Sequence, residues 1–278
     1  DLFDKILRLQ MAKLTIEQHQ YIRNKLRFMS DVLGGVLSIA TGCSGTDVIV
    51  MVIQRLASWW TATFGLTLRI RHVFSCEQVD YKRDFISAHF KPEAVFENME
   101  DVGTSSSARD TLSGEVNPIQ GANIWACGIE CDTLSGLNGM SQVGKAVTQS
   151  GDGKTGSTAK DCMGYIRRAR PSIIILENIK NLAAASSSSA VKSTDLEILV
   201  KQLNEMNYMV LYKVLNAADF GIPQRRLRWY LLSFYLGAGQ AVDQIVKDFA
   251  SATLPAFWHQ AAQWLIEMQI DTLPVESF

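Results

Sequence analysis

At 278 residues, with 47% apolar and 20% charged side chains, the chain has the make-up of a globular protein with a sizeable core, in one large domain or one domain with an appendage. No apolar run nears the roughly 18 residues that a membrane-spanning helix needs. A net charge of −1 gives no global pull toward nucleic acid, so any such binding would rest on a local patch. The 5 cysteines, an odd number scattered along the chain, point to reduced thiols inside a cell. With no Cys-x-x-Cys pair and the histidines far apart, no metal site is expected. The chain opens on Asp1 without the basic-then-apolar layout of a secretion signal, as a piece of something longer would.

In chain order, residues 1–34 carry Leu2, Phe3, Ile6, Leu7, Leu14, Ile22, Leu26 and Met29 at helical spacing, which predicts an amphipathic helical lead-in. Val36 to Ala40 reads as a short buried strand that breaks into the small-residue turn "ATGCSGTD", and a helix rich in Ile, Val and Trp follows to about Ala62. The segment 68–80 is a second strand ending at Glu77, then a helix to about His89. A polar stretch over 103–120 precedes the strand "ANIWACG". The segment 139–159, poor in apolar residues, is expected to be a mobile loop, as is the serine run at 184–190. Between them lie a basic helix, "CMGYIRRARP", and the apolar strand "SIIILE" at 172–177. A helix to about Met206, then strands at 208–217 and 228–234, complete the pattern, and two helical stretches close the chain. Short apolar strands alternating with helices predict an α/β fold, a parallel sheet covered on both faces.

Such sheets bind ligands at the carboxyl ends of their strands. Here those ends carry Thr41-Gly42, Cys76-Glu77, Cys131 and Glu177-Asn178. The turn at 40–47 has small residues that let backbone amides approach a ligand beside a helix N-terminus, although tight strand-to-helix turns also need Gly for sterics alone. Glu77 is placed to accept ribose hydroxyls, or is a solvated surface carboxylate. The thiol of Cys131 could be a nucleophile, a metal ligand or ordinary packing. Glu177 either caps the next element or sits half-buried in a pocket, where desolvation would raise its pKa toward acid–base work. Period-2 alternation puts Arg226 and Arg228 on one face of an extended segment and Arg225 and Leu227 on the other. "SGDGKTGST" at 150–158 resembles a phosphate loop, but Thr148 stands where that pattern needs Gly and no strand leads directly into it, so a flexible loop is expected instead.

Taken in order, these pieces resemble the cytosine-C5 DNA methyltransferases. "PSIIILENIKNL" (171–182) is similar to that family's Glu-Asn-Val element, and "LNAADFGIPQRRLRWYLLSF" (215–234) to its Asn-Ala-x-x-(Tyr/Phe)-Gly-(Val/Ile)-Pro-Gln-x-Arg-x-Arg element. The resemblance covers roughly residues 36–235 and implies a Rossmann-like methyltransferase fold, a mostly parallel sheet with helices on both faces. With the helical pattern at both ends, it divides the chain into a helical segment at 1–34, a catalytic domain over 35–240 and a helical segment at 241–278 leading toward an expected but absent target-recognition region. It implies S-adenosylmethionine as methyl donor, leaving as S-adenosylhomocysteine. Thr41, Gly42, Cys43, Gly45 and Gly128 would lie along the donor, Glu77 on its ribose, and Asn98 where the family has an Asp at the adenine. Cys131 takes the nucleophile's position, Glu177 would hold the edge of a flipped-out cytosine, and Arg226 and Arg228 would steady the base. DNA is the implied partner, RNA a second candidate, and nuclear residence follows only from DNA as substrate.

The departures are specific. The family reads Pro-Cys-Gln where this chain reads Glu130-Cys131-Asp132, and two carboxylates beside a thiol disfavour the thiolate. Ala40 and Ser44 replace a family Phe and Gly, and no Gly-Asn dipeptide closes the chain. Two other readings stay open: the same chemistry on tRNA, and a catalytically silent module of the same fold.

Overall fold

The computed structural model describes residues 8, 11–12, 15–131, 151, 153–179, 194–220 and 224–237. Helix α1, Ile16–Val32, leads into β1, Val36–Gly42, and then α2, Val48–Phe64. Next come β2 (Arg69–Cys76), α3 (Asp80–His89), β3 (Ala94–Phe96), α4 (Met99–Thr104), β4 (Ser107–Arg109), β5 (Val116–Pro118) and β6 (Ile124–Gly128). Helix α5 (Gly153–Ala169), β7 (Ile173–Ile179), α6 (Asp195–Glu205), β8 (Tyr208–Asn216), a 3-10 turn (Ala217–Phe220) and β9 (Leu227–Tyr235) complete the described part.

Seven strands form one sheet in the order β3-β2-β1-β6-β7-β9-β8. Pairing is parallel from β3 to β7, whereas β9 runs antiparallel to both β7 and β8. The mostly parallel sheet that the resemblance implies is thus present, with β9 as its one reversed strand. The β8–β9 connection is too short for a crossover helix, so β9 can only return antiparallel.

The sheet is buried from both sides, which is why its central strands read as apolar runs. On one face α5 lays Tyr165 and Cys162 against Phe74 and Trp125. The Trp125 and Tyr165 rings stand 4.2 Å apart, and Trp125 Nε1 donates to Cys162 Sγ at 3.2 Å. On the other face α2 covers Leu37, Ile39 and Ile124 with Val50 and Ala57. Helix α6 begins at a capping box in which Thr194 Oγ1 accepts from Glu197 N and Glu197 Oε2 accepts from Thr194 N, satisfying two amides that a helix start leaves bare. Among the described residues no helix is long and apolar enough to cross a membrane.

One loop expectation changes, and one polar stretch takes on regular structure. The polar stretch at 103–120 holds the end of α4 and the β4–β5 hairpin, tied by buried Asp110, which accepts from Val95 N, Leu112 N, Ser113 Oγ and Asn117 Nδ2. The loop expected over 139–159 is helical from Gly153 onward, and so is the stretch containing Lys154 and Thr155. Its buried residues Thr155, Ala159, Cys162 and Ile166, mostly small, recur at helical spacing, and packing along that stripe overrides weak local propensity. The rest of that loop, the serine run and the segment 241–278 lie outside the described residues. Of the expected lead-in at 1–34, residues 16–32 are α1.

Candidate active site

The carboxyl ends of the parallel strands open on a cavity of about 800 Å³, well within the range of small-molecule and cofactor sites. Its wall includes Cys43, Gly45, Glu77, Asn98, Gly128, Cys131, Glu177, Arg226 and Arg228. Of the residues singled out from the sequence, Thr41 and Gly42 are not part of that wall. Thr41 is buried, and its hydroxyl donates to Asp47 Oδ1 at 2.8 Å and meets Ser44 Oγ at 2.7 Å. A Cβ on Gly42 would come within 2.6 Å of the Trp125 ring and 2.9 Å of Met99 sulfur, so glycine there answers to packing of the core.

The turn after β1 is shaped from beneath. Ser44 N donates to the Cys76 carbonyl at 3.0 Å, and Ser44 Oγ bonds both the backbone carbonyl and the amide of Cys76 at 3.1 Å. A serine at this place therefore straps the turn to β2, which a glycine could not do. Gly45 follows at φ 59°, with open space where a Cβ would point, and its amide donates to Glu77 Oε2 at 2.7 Å. Glu77 Oε1 accepts from Val79 N at 3.0 Å, and Lys82 Nζ lies 3.8 Å away. Each carboxylate oxygen keeps a further lone pair for a ligand hydroxyl.

Below the turn, Asp47 is fully buried at φ 53°. It accepts from Thr41 Oγ1 and, at 2.6 Å, from Ser75 Oγ; the latter meets His72 Nε2 at 2.9 Å. Burial pushes the Asp47 carboxyl up to about 6, against the pull of its two hydroxyl donors. Burial also lowers His72 to about 4, so its ring is neutral near pH 7. Because the Ser75 proton goes to Asp47, His72 Nε2 is the donor to Ser75, and the bare lone pair falls on Nδ1, which is buried without a partner. Asp47 drew no functional reading from the sequence. Nothing there marks it, because its partners arrive from β1 and β2 through the fold.

At the far wall, β7 and β9 set Glu177 and Arg228 together. Glu177 pairs in register with Tyr230, and Arg228 Nε lies 3.0 Å from Glu177 Oε1. The two side chains are 31% and 19% exposed. Burial raises the Glu177 carboxyl above its ordinary value, opposed first by Arg228 and then by Arg226. Asn178, buried on the other side of β7, donates from Nδ2 to the carbonyls of Ile129 (3.0 Å) and Glu130 (3.4 Å), and so holds the backbone that carries Cys131. Asn178 was legible as part of a motif, but its task depends on β6 lying beside β7. The first turns of α5 add Lys154, Ser157 and Thr158 to the wall. Their recurring small residues were the signal that the loop reading passed over.

The C-5 cytosine-specific DNA methylase family model matches residues 138–257. The DNA (cytosine-5-)-methyltransferase DMT5 of Cryptococcus neoformans is 29% identical over 201 residues, covering 72% of this chain and 8% of that protein. The type II methyltransferase M.Sau3AI of Staphylococcus aureus is 34% identical over 214 residues, 76% of this chain and 44% of its own length. Over these residues the chain is similar to the cytosine-C5 DNA methyltransferases. Among solved structures, the Schizosaccharomyces pombe Dnmt2 methyltransferase covers 78% of the chain at 17% identity, spans 55% matched of its own length and has a TM-score of 0.45. The chain spans less than half the length of either of these two methyltransferases. Within the family frame, the strand order sets the glycine turn and the Glu177–Arg228 pair at opposite walls of one cavity, with the Cys131 backbone between them.

Proposed function

We propose that this chain carries the catalytic portion of a DNA cytosine-C5 methyltransferase that works through a covalent adduct at Cys131. The observation that carries the reading is that Cys131, Glu177, Arg226 and Arg228 share one cavity with Cys43, Gly45, Glu77 and Asn98. The donor set suits S-adenosylmethionine: a positive-φ glycine with open space above it, a carboxylate with spare lone pairs, and the exposed amide of Asn98. Cys43, Gly45, Glu77, Asn98 and Gly128 would hold it. When bound, it supplies the electrophilic methyl group that C5 receives, leaving as S-adenosylhomocysteine.

The protein's own part is activation of the pyrimidine. C5 of cytosine is a weak nucleophile until a thiolate adds at C6, so Cys131 Sγ attacks there and electron density moves to C5. Charge then builds toward N3, where Glu177, a carboxyl that burial raises above its ordinary value, would hold the base by hydrogen bonding. Arg228, ion-paired to Glu177, fixes that carboxyl's direction, and Arg226 supplies a second forked donor. Loss of the C5 proton and departure of Cys131 restore the aromatic ring. The base must leave the duplex for any of this to happen.

Duplex DNA containing 5-fluorocytosine tests the reading, since the fluorine cannot leave as a proton. With S-adenosylmethionine present, the protein should become attached to DNA at Cys131 in a form that survives denaturation, and Cys131→Ser should not. An equally trapped Cys131→Ser protein would remove the role of this thiol. The Glu130-Cys131-Asp132 sequence favours one other reading, a silent cofactor-binding module. Saturable S-adenosylmethionine binding without trapping, on DNA or tRNA, would establish that reading instead.

A further inference from the structure

An aspartate just before a helix ordinarily turns its carboxylate back to cap the first amides. Asp47 precedes α2 in a left-handed backbone conformation and its side chain makes no such bond. The carboxylate turns into the core instead, with Thr41 Oγ1 2.8 Å from Oδ1 and Ser75 Oγ 2.6 Å from Oδ2. From Thr41 the contacts continue outward. Ser44 Oγ is 2.7 Å from Thr41 Oγ1, and at 3.1 Å it reaches both the carbonyl and the amide of Cys76. Hydroxyls therefore lead from Asp47 to the strap that holds the glycine turn on β2, one residue before the Gly45 amide that donates to Glu77.

We propose that Asp47 is a positioning residue for the methyl-donor site, its proton setting the direction of this hydroxyl relay and so how firmly the glycine turn is held. The relay follows from counting protons, since Thr41 and Ser44 have one hydroxyl proton each. With Asp47 ionised, Thr41 gives its proton to Oδ1. The Ser44 proton then has two acceptors in reach, Thr41 Oγ1 at 2.7 Å and the Cys76 carbonyl at 3.1 Å, and the shorter contact draws it away from the strap. With Asp47 neutral, its proton could sit on either oxygen, and His72 decides which. On Oδ2 it would reverse the Ser75 hydroxyl and force the imidazole proton onto Nδ1, which is buried without a partner. A buried N–H with no acceptor is a rarer arrangement than a bare acceptor. On Oδ1 the proton points at Thr41, Thr41 donates to Ser44, and Ser44 donates to the Cys76 carbonyl, so every proton has an acceptor. The neutral form thus closes the strap and the ionised form loosens it. Burial, with the Glu77 charge facing Asp47 from the turn, holds that carboxyl up to about 6. His72, with Glu93 facing it, is lowered by burial to about 4 and stays neutral in this window. The consequence for S-adenosylmethionine rests on the function proposed above; the relay does not.

The test follows amide hydrogen exchange in the intact, ligand-free chain by NMR from about pH 5 to about pH 7.5, corrected for the intrinsic pH dependence of exchange. The Ser44 and Gly45 amides should be about fivefold better protected at the acid end, as one hydrogen bond would make them, with a midpoint near 6. Asp47→Asn has no proton to lose, and Thr41→Val keeps the carboxyl but cuts the relay. Both should lack the step, and their thermal transitions show that they are folded. Protection that does not change with pH in the wild type, or a step that persists in either variant, overturns the proposal. Calorimetric affinity for S-adenosylmethionine should fall about threefold across the same range in the wild type and stay level in Asp47→Asn. Binding that stays level in the wild type while protection steps would overturn the positioning role. A step with no S-adenosylmethionine binding at any pH would leave the relay standing and count against the cofactor assignment alone.

Discussion

The two walls of the cavity are built by opposite means. Under the glycine turn, Thr41, Asp47, Ser75 and His72 form a chain of hydrogen bonds cut off from water. Across the cavity, Glu177 and Arg228 make an ion pair that water still reaches. A turn that must present backbone amides at fixed positions gains from a desolvated network, where every bond is strengthened by low dielectric and every lost partner is costly. Charges that must meet a ligand have to stay accessible, so their pairing contributes little to folding and is available for chemistry.

The contrast can be broken at four points, from the largest expected effect to the smallest. Asp47→Ala removes the buried acceptor of the Thr41 and Ser75 hydroxyls and should cost about 2–4 kcal/mol in urea unfolding. A loss below about 1 kcal/mol would mean that the network does not hold the turn. Glu177→Gln should lower methyl transfer in single-turnover assays by about a hundredfold while unfolding free energy moves by less than about 1 kcal/mol. A stability loss equal to that of Asp47→Ala would erase the difference between the walls. Gly42→Ala drives a methyl into Trp125 and should cost about 1–3 kcal/mol, against about 1–2 kcal/mol at Gly45, where only the positive φ resists a side chain. Calorimetric melting temperatures of the two variants separate overpacking from backbone strain.

The fourth point is pH. Asp47 rises from 3.8 to about 6 on folding, so its contribution is full below 3.8 and is lost as pH climbs toward 6. His72 falls from 6.5 to about 4, so its contribution is full above 6.5 and is lost as pH drops toward 4. Between about 4 and 6 the two slopes oppose one another. The wild-type stability profile should therefore be nearly level over that window, and His72→Gln should lose on the order of 1–2 kcal/mol as pH rises through it. Followed by denaturation at each pH, parallel profiles for the two proteins would show that His72 does not titrate there, and a level His72→Gln profile would show the same of Asp47.

Much of this was legible in the amino-acid order. Apolar runs such as Ile173–Leu176 announce buried strands because a two-sided sheet needs side chains that can be desolvated on either face. The residues of the cavity wall were legible too, because strand ends in such sheets converge on one side, and a polar residue ending an apolar run is visible by position. The hairpin at 107–118 and the first turns of α5 were not: both are polar locally and take their shape from Asp110 and from packing along a small-residue stripe.

The sequence alone determined the succession of strands and helices, the family resemblance, and which side chains end the strands, since these depend on local pattern and on motifs read in order. Only the tertiary structure decided that β9 runs backward, that Thr41 and Gly42 serve the core while Cys43 and Gly45 face the cavity, and that Asp47 supports the turn from below. The reason is physical. Direction, burial and hydrogen-bond partnership are relations between residues far apart in the chain, set when the sheet closes and water leaves, and no stretch of sequence carries them by itself.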